Sequence, residues 1–130
     1  MKLTAQATDA IVWIKELQIS TAKQRKGRLG DEDNGFCCLG LGCNVLKLKY
    51  SPMASFSATF KEAVGLYNAH GEPTTGNPDT EYSNTLVILN DEAGKTFAEI
   101  ASILLANPDN YFEPETAKQI KEYFANEENN

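Results

Sequence analysis

The sequence predicts a small α+β domain in which a short β-hairpin, or a small antiparallel sheet, packs with about four to five helices. The hairpin is indicated by residues 31–35, Asp-Glu-Asp-Asn-Gly, because Asn-Gly between apolar positions is a strong turn signal. The helices are indicated by apolar residues at helical spacing and by the capping-box pattern of Thr96 and Glu99.

The length of 130 residues fits one domain, which we assign to residues 1–125, with residues 126–130 as a frayed acidic tail. Hydrophobic residues make up 42% of the chain and charged residues 23%, which is ordinary for a globular protein. The N-terminus lacks the apolar core of a signal peptide, and no run reaches the length of a membrane span. These features predict a cytoplasmic protein with no membrane partner.

Three helices are predicted in the first half of the chain. The first covers residues 9–19, with Asp9 as its N-cap, and the tryptophan on it is expected to anchor the core. The second follows the hairpin at about residues 39–48. The third is a two-turn helix within residues 60–67, and its end is predicted near Gly65. The apolar face of the first helix consists of Ile11, Val12, Trp13, Ile14 and Leu17.

The second half begins with a long irregular stretch at residues 68–84, which contains breaks rich in Gly, Pro and Asn. Residues 86–89 form an apolar run that fits either a strand or a helical turn, and residues 90–94 are predicted to be a turn. A helix over residues 97–105 follows the capping box, and a last helix begins at Pro114. The buried face of the last helix consists of Ala117, Ile120, Tyr123 and Phe124.

The three cysteines, Cys37, Cys38 and Cys43, are expected to be buried core residues. Their odd number argues against a disulfide framework. Their spacing does not match the paired ligands of a zinc site. The acidic turn also places Phe36 and Gly42 where a calcium-binding loop needs Gly and Glu. The sequence therefore predicts no metal and no cofactor.

Charge is unevenly distributed along this acidic chain, whose net charge is −6. An acidic protein repels phosphates, which argues against general nucleic-acid binding. Residues 23–28 nevertheless carry four positive charges, and such a basic island fits either a local anion site or an edge strand protected by Lys and Arg. An exposed hairpin edge would also allow two copies to pair into a homodimer.

The first functional hypothesis is a non-enzymatic binding protein that holds a small anionic ligand, such as a signalling nucleotide, or docks onto a host protein. Side chains of the basic island can reach phosphate oxygens, and glycine N–H groups at the start of a short helix can meet an anion. The Asn-Asp pair after the apolar run can accept hydrogen bonds from a ribose or a base. Each of these residues also fits a structural role in close packing or in a turn. The candidate ligand-binding residues are Arg25, Lys26, Arg28, Gly40, Gly42, Asn90 and Asp91.

Five motifs follow one another in a recognisable order. They are Trp13 in the first helix, residues 24–29 (QGxGxL-like), residues 36–46 (YCCLGVLCDL-like), residues 60–66 (LPxxVxxWLGL-like) and residues 86–103 (LxxLNDxGxSFxEIAxxI-like). This order resembles a family of short uncharacterised proteins of phages and bacterial genomes. The resemblance implies an accessory role in host takeover or counter-defence, in the host cell cytoplasm.

An enzyme is the second hypothesis. One of the cysteines would be the nucleophile, with His70 or Asp91 as its base, or Asp91 and Glu92 would form an acid–base site. No Walker loop, Rossmann fingerprint, HExxH or GxSxG motif is present, which favours a non-enzymatic protein. A third hypothesis is nucleic-acid mimicry by the acidic residues 113–130, although the net charge is modest for that role.

Overall fold

The computed structural model describes residues 2–73 and 85–128. Within these ranges, six α-helices and a two-stranded antiparallel hairpin confirm the predicted α+β class. No helix in the same ranges has both the length and the apolar character that a membrane span requires. A short 3-10 helix, Pro108–Asn110, joins the last two helices. The elements in chain order are α1 (Ala5–Ile19), β1 (Gly30–Asp31), β2 (Gly35–Phe36), α2 (Cys38–Val45), α3 (Ala58–Val64), α4 (Leu86–Asp91), α5 (Phe97–Ala106) and α6 (Pro114–Glu128).

Helix α1 is the centre of the fold, since it packs against α2, α3, α5 and α6. Trp13 lies on α1 and is fully buried, as predicted. Its ring meets the Phe60 ring edge-on, with 4.9 Å between the ring centroids, and its indole N–H donates to the carbonyl of Cys38 at 2.9 Å. A buried tryptophan needs both an aromatic or apolar neighbour and an acceptor for its N–H. Trp13 therefore connects α1 to α2 and to α3.

The start of α1 differs from the prediction. The helix begins at Ala5, and its N-cap is Thr4, whose Oγ1 accepts the N–H of Ala7 at 3.1 Å. The predicted N-cap, Asp9, lies inside the helix. The first turn buries only small alanine side chains, which contribute little to a hydrophobic pattern. The prediction that Val12 belongs to the apolar face is wrong, because its side chain is exposed.

The hairpin forms where it was predicted. Strands β1 and β2 pair antiparallel, with Gly30 opposite Phe36 and Asp31 opposite Gly35. The Asp31 carboxylate stabilises the turn, because its Oδ1 accepts the backbone N–H of Asn34 at 2.8 Å and the Asn34 side-chain amide at 3.0 Å. Gly35 has a φ of +92°, a conformation that residues with a side chain rarely adopt.

The basic segment, residues 23–28, lies along this hairpin. The N–H of Arg25 donates to the carbonyl of Phe36 at 2.7 Å, and the N–H of Phe36 donates to the carbonyl of Lys23 at 2.9 Å. Gln24 and Phe36 thereby form a parallel bridge. Successive side chains of extended backbone point to opposite sides, so Lys23 and Gln24 face different surfaces of the molecule.

Helix α2 begins directly after the hairpin. Cys37 is its N-cap, and the Cys37 Sγ accepts the N–H of Gly40 at 3.3 Å. Cys38 occupies the first helical position, so α2 begins one residue before the predicted start at about residue 39. The helix ends at Val45 rather than near residue 48. All three cysteines are free and buried, as predicted.

Residues 86–89, which fit either a strand or a helical turn in the sequence, are helical, and this helix, α4, continues through Asp91. The predicted turn at residues 90–94 is therefore wrong for Asn90 and Asp91, which form the last turn of α4. Residues 68–73 contain no helix or strand, in agreement with the predicted irregular stretch. The rest of that stretch, residues 74–84, lies outside the described residues.

Helices α3, α5 and α6 begin or end close to the predicted positions. Before α5, the Thr96 Oγ1 accepts the N–H of Glu99 at 3.1 Å, and the Thr96 N–H donates to the Glu99 Oε1 at 2.9 Å. Helix α3 ends at Val64, and its C-cap is Gly65, whose φ is +72°. Helix α6 begins at Pro114 and continues past residue 125. Its predicted buried face consists of the buried Ala117 and Ile120 and the half-buried Tyr123 and Phe124.

Candidate functional site

One buried amide fixes the basic segment to the end of α4. The Asn90 side chain is 2% exposed. Its Oδ1 accepts the Nε2 of Gln24 at 2.7 Å and the backbone N–H of Cys38 at 3.1 Å. Its Nδ2 donates to the carbonyl of Arg25 at 2.7 Å and to the Asp91 Oδ1 at 2.8 Å. These four bonds use the whole hydrogen-bonding capacity of the amide.

Two further bonds extend this network. The Asp91 Oδ1 accepts the backbone N–H of Gly27 at 3.0 Å. The Gln24 Nε2 donates a second hydrogen bond, to the carbonyl of Lys95 at 2.7 Å. The basic segment is therefore attached at three positions to α4 and to the loop that follows it. We call this set of bonds the Asn90 network.

A depression of about 290 Å³ lies beside the Asn90 network. Gln24 and Asn90 lie on one part of its lining, and Lys26, Gly94 and Lys95 on the rest. Lys26 is exposed and Lys95 is half-buried. In the described part of the chain, neither lysine takes part in an ion pair. The depression therefore combines two unpaired cations with the side-chain amides of Gln24 and Asn90.

Arg25, Arg28 and Asp91, which were also predicted to bind the ligand, do not line this depression. Arg25 is half-buried and contributes its backbone carbonyl to the Asn90 network. Arg28 is exposed, and its Nη1 donates to the carbonyl of Gly27 at 3.2 Å. Arg28 and Asp91 line a separate cleft beside Cys37, which is too narrow for a water molecule. Of the predicted residues, the structure therefore places Lys26 and Asn90 on the depression. Arg25 meets Asn90 only through its backbone carbonyl, and Arg28 and Asp91 lie on the neighbouring cleft.

The two predicted glycines lie against other parts of the chain. A Cβ atom on Gly40 would be 1.7 Å from the carbonyl oxygen of Leu29. A Cβ atom on Gly42 would be 2.3 Å from the Phe60 ring and 2.8 Å from the Trp13 ring. The close approach that glycine permits is therefore used for packing within the core. The Gly40 N–H also has an acceptor within the chain, the Cys37 Sγ.

Sequence reasoning missed three residues of the depression, Gln24, Gly94 and Lys95. Gln24 belongs to the basic segment and to the QGxGxL-like motif, and these two patterns could have indicated it as a site residue. Lys95 is 71 residues away from Gln24 in the sequence, and no local pattern indicates that the two meet. Gly94 was assigned to a turn and has a φ of +66°, which fits that role.

The cysteine thiols are poorly suited to nucleophilic chemistry. Burial, with a smaller contribution from the nearby Asp91 carboxylate, raises the pKa of the Cys37 thiol to about 11. Burial likewise raises the pKa of Cys43 to about 12 and the pKa of Cys38 well above its usual value. The His70 ring packs on the Phe56 ring, with 4.4 Å between the centroids. A thiol must ionise to attack, and the raised pKa values favour the protonated, less reactive form of these cysteines near neutral pH.

Two negative findings limit what can be assigned to this site. Among the described residues, no group of three or more His, Cys, Asp and Glu side chains is arranged to hold a metal ion. Comparison of the chain with protein-family models, with curated protein sequences and with solved structures gave no match. The resemblance to the phage and bacterial family stays a prediction.

Proposed function

We propose that this protein is a non-enzymatic binding protein that holds a small anionic ligand, such as a signalling nucleotide, in the depression between Lys26 and Lys95. The observation that carries this proposal is that two lysines, which form no ion pair among the described residues, line one concave surface of an acidic protein. In the cellular setting that the sequence resemblance implies, sequestering such a ligand would serve host takeover or counter-defence.

The charge distribution supports this proposal. Elsewhere in the described chain, Lys15, Lys61 and Lys121 each pair with a carboxylate. Lys26 and Lys95 form no ion pair with the described residues, which is also true of most other Lys and Arg side chains, but these two lysines line the same depression. A phosphate would supply the missing negative charge and accept hydrogen bonds from both ammonium groups.

The rigidity of the site also supports it. The backbone around Lys26 is attached through Arg25 and Gly27, and the carbonyl of Lys95 is attached through Gln24. Binding therefore needs only the two lysine side chains to become ordered. A pre-organised site loses less conformational entropy on binding, which favours affinity.

The size of the depression limits the ligand. Its volume of about 290 Å³ is near the lower end of the range for small-molecule sites, about 300–1,000 Å³. A phosphate group fits such a volume, and the rest of a nucleotide would lie across the neighbouring surface. If the ligand is instead a host protein, an acidic side chain of that protein would contact Lys26 and Lys95.

The enzyme hypothesis receives less support. The narrow cleft brings Cys37 close to Asp91, which is the arrangement that a nucleophile and base would need. Burial and the Asp91 carboxylate raise the pKa of the Cys37 thiol, however, and thereby favour the unreactive form. The cleft also has no space for a water molecule.

A thermal-shift screen with nucleotides and other phosphate compounds tests the proposal. A ligand at about one hundred times its Kd stabilises a protein by about 2.7 kcal/mol, which raises the Tm by several degrees. We expect one compound to do so with the wild-type protein. We expect the shift to disappear in the double variant Lys26→Gln/Lys95→Gln.

The matched control is Lys2→Gln/Lys118→Gln, which removes the same charge from two exposed positions outside the depression. This control should retain the full shift. Equal loss in both double variants would mean that the ligand responds only to net charge, and the proposed site would be wrong. No shift with any compound, together with an unliganded mass for protein purified from host cells, would leave the proposal without support.

A further inference from the structure

The orientation of the Gln24 side-chain amide is fixed by its partners within the chain. Its Nε2 lies 2.7 Å from the carbonyl oxygen of Lys95 and 2.7 Å from the Asn90 Oδ1. A carbonyl oxygen only accepts hydrogen bonds, and the Asn90 Oδ1 already accepts the backbone N–H of Cys38. The Gln24 atom that faces both oxygens must therefore be the donor, and both of its N–H bonds are used.

The Oε1 of the same amide is left as an acceptor. Among the described residues, no donor reaches the Gln24 Oε1. Turning this oxygen toward the network would break both bonds of the Nε2, because the two atoms belong to one planar group. The other side-chain amide on the depression, that of Asn90, has no hydrogen-bonding capacity left. Gln24 therefore supplies the side-chain acceptor that the described lining of the depression can offer to a ligand.

This acceptor lies beside both lysines of the depression. Gln24 and Lys26 are two residues apart in the segment that runs along the hairpin, and both line the depression. The hydrogen bond from the Gln24 Nε2 to the Lys95 carbonyl holds the amide next to the second lysine. An anion without a proton would direct its negative oxygens at the lone pairs of the Oε1, which repel them. An anion with one protonated oxygen would donate a hydrogen bond there and keep its charged oxygens for the lysines.

We infer that the depression is specific for a terminal phosphate group in its singly protonated form, and that Gln24 determines this specificity by accepting a hydrogen bond from the P–OH group. The inference rests on the proposed function, because it concerns the same site. A phosphate monoester has a second pKa of about 6, so about a tenth of such groups keep this proton at neutral pH and are available for binding. Sulfate esters and phosphodiesters have no such proton. The ligand class is therefore a nucleotide or sugar with a terminal phosphomonoester.

Methyl phosphate and methyl sulfate form a matched pair of probes for this specificity. At about pH 5.5, most methyl phosphate carries one negative charge and one P–OH group. Methyl sulfate has the same charge and a similar shape but no proton to donate. NMR titration of the isotopically labelled protein at constant ionic strength, with each probe up to about 50 mM, gives the two Kd values. We expect the wild-type protein to bind methyl phosphate at least about tenfold more tightly.

The variant Gln24→Met removes the acceptor and keeps the length of the side chain. The ratio of the two Kd values should then fall to about one. A mere loss of structure around Lys95 would weaken the binding of both probes together and leave the ratio unchanged. The matched control is Gln18→Met, at an exposed position on α1 outside the depression, which should retain the wild-type ratio.

The outcomes separate this inference from the proposed function. Equal binding of both probes to the wild type, with binding lost in Lys26→Gln/Lys95→Gln, would overturn the role of Gln24 and leave the anion site standing. A Gln24→Met variant that keeps the wild-type ratio would also overturn that role. No binding of either probe, or binding that the double lysine variant retains, would overturn the anion site and this inference together.

Discussion

At the scale of single residues, Asn90 holds together several elements of the structure, which neither its predicted ligand-binding role nor a place in a turn would require. One side-chain amide joins the basic segment, the first turn of α2 and the end of α4. Its removal would leave the Cys38 N–H and the Arg25 carbonyl without their partners. A buried polar group left unpaired costs about 1–3 kcal/mol. Asn90 therefore matters for stability whether or not a ligand touches it.

We expect Asn90→Ala to lower the free energy of unfolding by about 3 kcal/mol, because several buried groups lose their partners together. Urea unfolding followed by circular dichroism measures this change. Asn126→Ala, at an exposed position on α6, is the control and should stay within about 0.5 kcal/mol of the wild type. If the free energy of unfolding of Asn90→Ala were equally close to that of the wild type, water would be replacing the amide without cost.

At the scale of elements, the clearest local signal in the chain is the start of α5. We expect Thr96→Ala to destabilise the protein by about 1 kcal/mol, because the Glu99 N–H loses its acceptor. Denaturant unfolding measures the difference. Thr59→Ala, at an exposed position inside α3, removes a threonine without removing a cap and should be close to neutral. Equal effects of the two substitutions would argue against the capping box.

The same capping box makes stability depend on pH. The hydrogen bond from the Thr96 backbone N–H lowers the pKa of the Glu99 carboxyl. A lowered folded-state pKa contributes stability above the unfolded pKa, and this contribution is lost as the pH falls through the folded pKa. We therefore expect the difference in stability between the wild type and Glu99→Gln to shrink on acidification below the ordinary glutamate pKa. A constant difference across this range would contradict the assignment.

Elements whose signals are local were predicted, and those that depend on distant contacts were not. The hairpin turn and the capping box each need only residues a few positions apart, so the sequence shows them directly. Helix α4 has six residues, too few for periodicity to separate helix from strand. The depression was only partly predicted, because Lys95 reaches Gln24 through tertiary packing across 71 positions.

At the scale of the whole molecule, α1 packs with four other helices, and the buried residues form one connected cluster. The three free cysteines belong to this cluster. A connected core is expected to unfold cooperatively in a chain of this size. The cysteines should then become accessible only when the whole domain unfolds.

We expect iodoacetamide at neutral pH to leave all three cysteines of the native protein unmodified, because they are buried and their pKa values are raised. In denaturant, labelling should follow the same transition as the loss of Trp13 burial, measured by fluorescence. Rapid labelling of one cysteine in the folded protein would contradict this expectation. That outcome would instead favour the cysteine-enzyme hypothesis.

The hydrogen bond of Trp13 gives the molecule an internal optical reporter. Asn90, which lines the depression, accepts the N–H of Cys38, and the carbonyl of that same cysteine accepts the indole N–H of Trp13. Trp13 is the one tryptophan in the sequence, so its emission is not mixed with that of another indole. A ligand that shifts Asn90 would alter the surroundings of this indole through a path of two hydrogen bonds. The unlabelled protein can therefore report occupancy of its own depression.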